Sequence, residues 1–232
     1  MKTMELAEVA AILAEPARAT MCLALIDGRA WTVGELARTA GVAPSTGSEH
    51  VSKLVEAGFV EALRQGRHSY VRITDPDVAD LIEHLSQHAA HPPRTGLRAS
   101  LQARRLATAR TCYDHLAGKL GVALRDGMRG QGLIDDRTGL TLTPTGAKTL
   151  TSLGIPLPHP NGRPQLRDGL DWTERREHLA GAIPAALLHH ALESNWLHRN
   201  PDRSLHHHPT AHTPFTKLGV DLEALISEKD AA

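Results

Sequence analysis

Two sets of side chains in this sequence have the types and spacing to do chemistry. The first is Cys112, Asp114 and His115, joined by Asp171 and His178 further along the chain. A cysteine thiolate and imidazoles are borderline-soft ligands that suit zinc. The same residues would also serve as a reactive thiol tuned by histidine. A third reading is a buried cysteine beside helix-capping aspartates, and the spacing Cys-x-Asp-His does not choose among the three. Asp80, His84, His88 and His91 form a looser set, in which histidines four apart on one helix can share a metal or simply end a solvated helix. His206-His207-His208 looks metal-avid, yet it replaces the alternating strand positions of an earlier, similar segment (Leu140–Thr145), and an exposed or half-buried strand is enough to explain it.

The second set recognises rather than reacts. Ser45, Ser48, Glu49 and Ser52 fall at i, i+3, i+4 and i+7, one small polar helix face, with Gly47, Val51, Leu54 and Val55 on the inner side. Beyond it come Arg64, Arg67, His68 and Arg72 around Gln65-Gly66, a hairpin signal. A polar helix able to approach another polar surface, beside a hairpin with groups for phosphate, points to duplex DNA. By position, Ser45, Ser48 and Glu49 face base edges, while Thr46, His50, Lys53, Arg67, His68 and Arg72 hold phosphates. Glu49 can accept from cytosine N4, so it restricts sequence more than it raises affinity.

Composition bounds these readings. The 232 residues carry no net formal charge, so a DNA footprint must be local. Up to Ala90 acids outnumber bases, whereas His91 to Arg110 holds Arg94, Arg98, Arg104, Arg105 and Arg110 with no acid. That basic stretch either neutralises the acidic part or touches DNA flanks. Aromatics are only 3%, which leaves no stacking platform for single strands. Cys22 and Cys112 supply no disulfide framework. With neither a signal peptide nor a long apolar run, a cytoplasmic protein is expected. No phosphate-binding glycine loop, serine elbow or HExxH helix is present, which argues against an enzyme; only Cys112 with His115 or His178 offers a nucleophile–base pair.

The elements that must position these groups follow from punctuation. Helices are expected over Met4–Ala14 and Pro16–Ile26, the second stopped by Asp27-Gly28. Thr32-Val33-Gly34-Glu35 is a capping box opening a short helix to Ala40, Gly41 allows the turn, and Pro44 starts the next helix. Asp77 to His88 aligns Val78, Leu81, Ile82 and Leu85, and residues 91–98 form a linker. The expected class is α+β: mainly helical with small hairpins, a winged helix-turn-helix domain over 1–90 and a second domain over 99–232.

The runs LAEPARATMCLAL, WTVGELARTAGVAPSTGSEHVSKLVEAGFV and RQGRHSYVRI resemble the bacterial ArsR/SmtB winged-helix repressors across roughly the first 90 residues. The resemblance implies a homodimer on a palindromic operator, released when an inducer binds, with the helix over 77–88 as the dimer helix. Half-sites would then lie about 10 base pairs apart. The family's thiolate metal site needs cysteines near Val33 to Leu36, and there are none. Gly47 departs from the branched residue or alanine usual there, and glycine within a helix costs about 1 kcal/mol against alanine, so a softer recognition helix is expected.

The remainder contains a repeat. His115-Leu116-Ala117-Gly118 recurs as His178-Leu179-Ala180-Gly181, Leu140–Thr145 as Leu205–Thr210, and Leu153-Gly154-Ile155 as Leu218-Gly219-Val220. Two units, about 112–155 and 171–225, are expected to bury their helices against each other and to form a candidate sensor. Cys112 to Gly118 and Asp171 to Gly181 also resemble motifs of longer ArsR-like proteins. In those relatives a cysteine commonly sits two residues before the Asp-Trp, where this chain has Gly169, which argues against a two-cysteine sensor.

Overall fold

A computed structural model describes residues 5–65, 68–73, 75–88, 97–160, 162–200 and 202–227. The chain divides into two compact units, Met1–Ala90 and His91–Ala232.

In the first unit, α1 (Leu6–Leu13) is followed by α2 (Pro16–Leu25), whose N-terminal amide at Arg18 is capped by Glu15. The Arg18 side chain donates back to the α1 carbonyls of Ala11 and Ile12, satisfying acceptors that a helix end leaves open. Strand β1 (Trp31–Thr32) leads into α3 (Val33–Ala40) through the expected capping box of Thr32 and Glu35. Gly41, at φ 67°, turns the chain into α4 (Pro44–Glu56). Strands β2 (Val60–Gln65) and β3 (His68–Ile73) form the hairpin, and α5 (Pro76–His88) closes the unit.

The sheet has three strands in the order β1-β3-β2, because Trp31 and Thr32 pair with Val71 and Tyr70. This third strand is a departure from the two-stranded hairpin expected. Its two residues are too short to show any alternation. The core beneath is Met21, Cys22, Leu25, Leu36, Leu54, Phe59 and Val71. Val55, expected inside, is 39% exposed.

Gly47 is explained by packing. A Cβ on it would stand 2.6 Å from the Cβ of Ala37, so α3 and α4 approach too closely for any side chain there. The helix gives up propensity at that position because the turn is tight, which replaces the expectation of a merely softer helix.

The second unit opens with α6 (Leu97–Thr108), then a hairpin of β4 (Arg110–Cys112) and β5 (His115–Ala117), α7 (Lys119–Gly130), a short hairpin of β6 (Ile134–Asp135) and β7 (Thr141–Leu142), and α8 (Pro144–Ser152). The same order then recurs: β8 (Arg167–Leu170) paired with β9 (Glu177–Ala180), α9 (Ala182–Glu193), β10 (Leu197–Arg199) paired with β11 (Leu205–His207), and α10 (His212–Lys217), with α11 (Leu222–Ser227) at the end. The packing is crossed. Helix α7 lies over β9 and α9 over β5, so each helix covers the other half's hairpin as well as its own. Backbone bonds from Thr111 to Arg203 and from Leu205 to Ala109 tie the halves further. Leu116, Leu124, Met128, Leu179, Leu187 and Phe215 belong to the one apolar core this produces. Among the described residues, no helix is long and apolar enough to cross a membrane.

Candidate nucleic-acid interface and buried cysteine–histidine cluster

On α4 the inner positions are filled by Gly47, Val51 and Leu54, which leaves Ser45, Ser48, Glu49, Ser52 and Lys53 exposed on the outer side. The Ser48 and Ser52 hydroxyls donate to the carbonyls of Pro44 and Ser48 at 3.0 Å, so both offer lone pairs outward. Thr46 is half-buried at the edge of this face. His50 differs from its expected role: its Nδ1 lies 3.5 Å from Glu15 Oε2, directed at the α2 N-terminus rather than outward.

The hairpin register places Glu61 opposite Arg72, and the two side chains pair at the surface, so a phosphate would compete with Glu61 for the guanidinium. Arg64, opposite Ser69, is exposed. Arg67 and the side chain of His68 lie outside the described residues. On α5, Leu81 and Leu85 are exposed at 37% and 49%, and His84 is exposed beside them. The side chain of His88, and His91 altogether, lie outside the described residues.

In the second unit the crossed halves bring Cys112, His115 and His178 together, with their ligand atoms all within 4.8 Å of one another and all three residues buried. Cys112 and His115 are cross-strand partners in the β4–β5 hairpin, whose turn holds Tyr113 at φ 54°. His178 comes from β9. Its Nε2 stands 3.1 Å from Nε2 of His115. Asp114 is behind the cluster, 3.3 Å from His115 Nδ1, and is gripped by Arg163 at 2.7 and 3.0 Å. Burial alone raises the Asp114 carboxyl, but hydrogen bonds from His115 and Arg163 outweigh it and hold the group below its ordinary range.

Asp171 lies behind His178 more loosely, with Oδ2 3.6 Å from Nδ1. Its carboxylate accepts hydrogen bonds from Arg110, from the Gly118 amide, and from Thr173 and the Glu174 amide. Burial pushes the Asp171 carboxyl up, yet Arg110 and these hydrogen bonds prevail and set it at about 2. Arg110 is fully buried with Trp172 over its guanidinium at 4.7 Å, so it is no part of the basic surface counted from the sequence. Sequence reasoning missed Arg110 and Arg163 as anchors of the two aspartates. The signal for Arg163 was a lone cation within a proline- and glycine-rich stretch; for Arg110 there was none.

The His206–His208 run lies along and just past β11, with the His198 and His206 rings 5.3 Å apart, His206 being exposed. A groove of ≈ 430 Å³ between α7 and residues 219–225 is lined by Asp126, Gly127, Gly219 and Leu225 among others.

Three helices, a tight glycine turn, an outward polar helix and a three-stranded wing define a winged helix-turn-helix DNA-binding protein. A family model described as "Helix-turn-helix domain" matches residues 13–61. The uncharacterized HTH-type transcriptional regulator YdfF of Bacillus subtilis (strain 168) is 38% identical over 199 residues, covering 84% of this chain and 88% of the relative. The chain therefore belongs to the helix-turn-helix transcriptional regulators, and the match is too long to be confined to the first unit. The biofilm growth-associated repressor of Xylella fastidiosa (strain Temecula1 / ATCC 700964) is 31% identical over 81 residues, covering 35% of this chain and 70% of that protein. Among solved structures, the BigR repressor of Xylella fastidiosa is 28% identical, with 38% of this chain and 88% of that chain covered at a TM-score of 0.35. The homodimeric winged helix-turn-helix domain of Mb0332 from Mycobacterium bovis, described as a possible ArsR-family regulator, is 27% identical, with 41% of this chain and 100% of that chain covered at a TM-score of 0.34.

Proposed function

We propose that this regulator is a homodimeric repressor that binds a palindromic operator through α4 and its wing and leaves it when an inducer binds. The observation that carries the reading is the exposed face of Ser45, Ser48, Glu49, Ser52 and Lys53 beside a wing bearing Arg64. Residues 1–90 are taken as the DNA-binding and dimerisation part, 91–98 as linker and 99–232 as sensor. Homodimerisation is supported by α1, whose apolar sequence LAEVAAIL buries no residue, with Leu6 84% exposed, and by the exposed leucines of α5. A second copy would cover both surfaces and set the spacing of two recognition helices. An inducer that lowers operator affinity 100-fold needs about 2.7 kcal/mol of coupling between its site and the DNA-binding form.

The test is fluorescence anisotropy of the purified chain on DNA upstream of its own gene, across a salt series. Tight binding with a steep salt slope is expected, and Arg64→Ala should make that slope shallower by about 1 for each phosphate the arginine neutralises. Glu49→Ala should relax sequence choice while affinity changes little. Binding no tighter than to an unrelated duplex, with an unaltered slope in Arg64→Ala, would refute the reading.

A further inference from the structure

We propose that Cys112, His115 and His178 form a transition-metal site of the zinc class, with three protein ligands and one coordination position left open beside Gly169. This goes beyond DNA binding and stands or falls separately from it.

The first argument is the convergence of three ligand atoms with a carboxylate behind each histidine. Asp114 stands behind His115, its Oδ1 3.3 Å from Nδ1, while Nε2 is turned towards His178. Asp171 stands behind His178 in the same sense, with Oδ2 3.6 Å from Nδ1. The two Nε2 atoms stand 3.1 Å apart, and one ligand atom from each of Cys112, His115 and His178 lies within 4.8 Å of the others, all three residues buried. Carboxylates behind the non-ligating nitrogens are the usual way metal-binding histidines are oriented. Around tetrahedral zinc, neighbouring ligand atoms lie about 3.3–3.6 Å apart. The histidine pair already has nearly that spacing, and the 4.8 Å limit of the trio leaves about 1 Å for side-chain rotation to close. A thiolate with two imidazoles selects zinc-like ions over calcium or magnesium.

The second argument concerns the fourth corner. His115 is paired across its hairpin with Cys112, and His178 is paired across the equivalent hairpin with Gly169. The two histidines occupy the same place in the repeat, so Gly169 stands where the first half has its cysteine. A Cβ on Gly169 would lie 3.3 Å from His178 Nε2, which aims that position into the cluster. Having no side chain, Gly169 supplies no ligand there, and it is half-buried where the other three residues are buried. A bound metal would thus keep one vertex within reach of a small exogenous donor such as a thiol, azide or water.

Co(II) is the probe: the full-length chain, stripped with chelator, is titrated while its visible and near-ultraviolet spectra are recorded. One equivalent per chain should give the intense d–d absorption of four-coordinate cobalt and a thiolate-to-cobalt charge-transfer band. Cys112→Ser should abolish the charge-transfer band, and half-buried Asp114, changed to Asn, should weaken binding about 10-fold while circular dichroism shows the fold intact. Replacing His206 and His208 by Asn should change neither. Azide or a small thiol should shift the d–d bands of the parent chain but not those of Gly169→Cys, whose sulfur would fill the vertex. Cobalt bound without a charge-transfer band, a band that survives in Cys112→Ser, or no stoichiometric binding would each overturn the site. Bands indifferent to added ligand would overturn the open vertex.

Discussion

Gly47→Ala tests how tightly the recognition helix is seated. The new methyl would start 2.6 Å from Ala37 Cβ and 3.3 Å from its Cα, with Ala37 fully buried. Carbon atoms rest at about 3.5–4.0 Å, so α3 and α4 must part by roughly 1 Å. Such overpacking costs about 1–3 kcal/mol, whereas alanine regains about 1 kcal/mol of helix propensity. The expected net is about 1 kcal/mol of destabilisation, a fall of about 4–8 °C in the midpoint for a unit of this size. In the double variant Ala37→Gly/Gly47→Ala the propensities roughly cancel and most of the clash disappears, so the two changes should couple favourably by about 1–2 kcal/mol. Urea and thermal unfolding of the four proteins, followed by circular dichroism, measure this directly. A single variant more stable than the parent, or strictly additive changes, would refute the close approach.

Further outcomes are expected from the buried charges and thiols. Asp171 titrates at about 2 in the folded chain against 3.8 ordinarily, so its stabilisation is complete above about pH 4 and disappears as pH falls through 2. The contribution is about 2 kcal/mol; Asp171→Asn should flatten acid unfolding over that window, and an unchanged acid limb would contradict it. Removing Arg110 leaves that carboxylate buried without its guanidinium, and Arg110→Met should cost about 3–5 kcal/mol in urea unfolding. Burial pushes the Cys22 thiol up to about 12, so in Cys112→Ser the remaining thiol should resist alkylation at neutral pH until the chain unfolds. Labelling of that folded variant at the rate of a free thiol would disprove it.

Sequence pattern served best where local chemistry decides the outcome. The capping box, the glycine turn and the proline-started α4 were all legible because each satisfies backbone groups within a few residues. The wing hairpin was legible from its turn, but β1 was not, since a two-residue strand exists only through its pairing with β3. Cross-strand and inter-helix partners were likewise hidden: Glu61 claims Arg72, and Glu15 draws His50 aside, through a register and a packing that no single segment encodes. In the second unit the residue types at Cys112, His115 and His178 were noticed, yet their meeting depends on halves that cross. Asp114 was counted with possible ligands; it lies 3.3 Å from His115 Nδ1 and is held by Arg163. Helices α7 and α9, expected to pack on each other, lie chiefly over the opposite hairpins.

That crossing has a kinetic consequence. Helix α7 finds one of its principal surfaces in β9, which lies more than forty residues further along the chain. Pairings so distant in sequence require loop closure before they contribute, and this slows folding. The first half, ending at Ser152, would leave the ribosome with α7 lacking that cover, whereas α3 with α4, and β2 with β3, pair with close neighbours in the first unit. The DNA-binding unit is thus built to fold early and locally, and the two halves of the second unit to fold late and together.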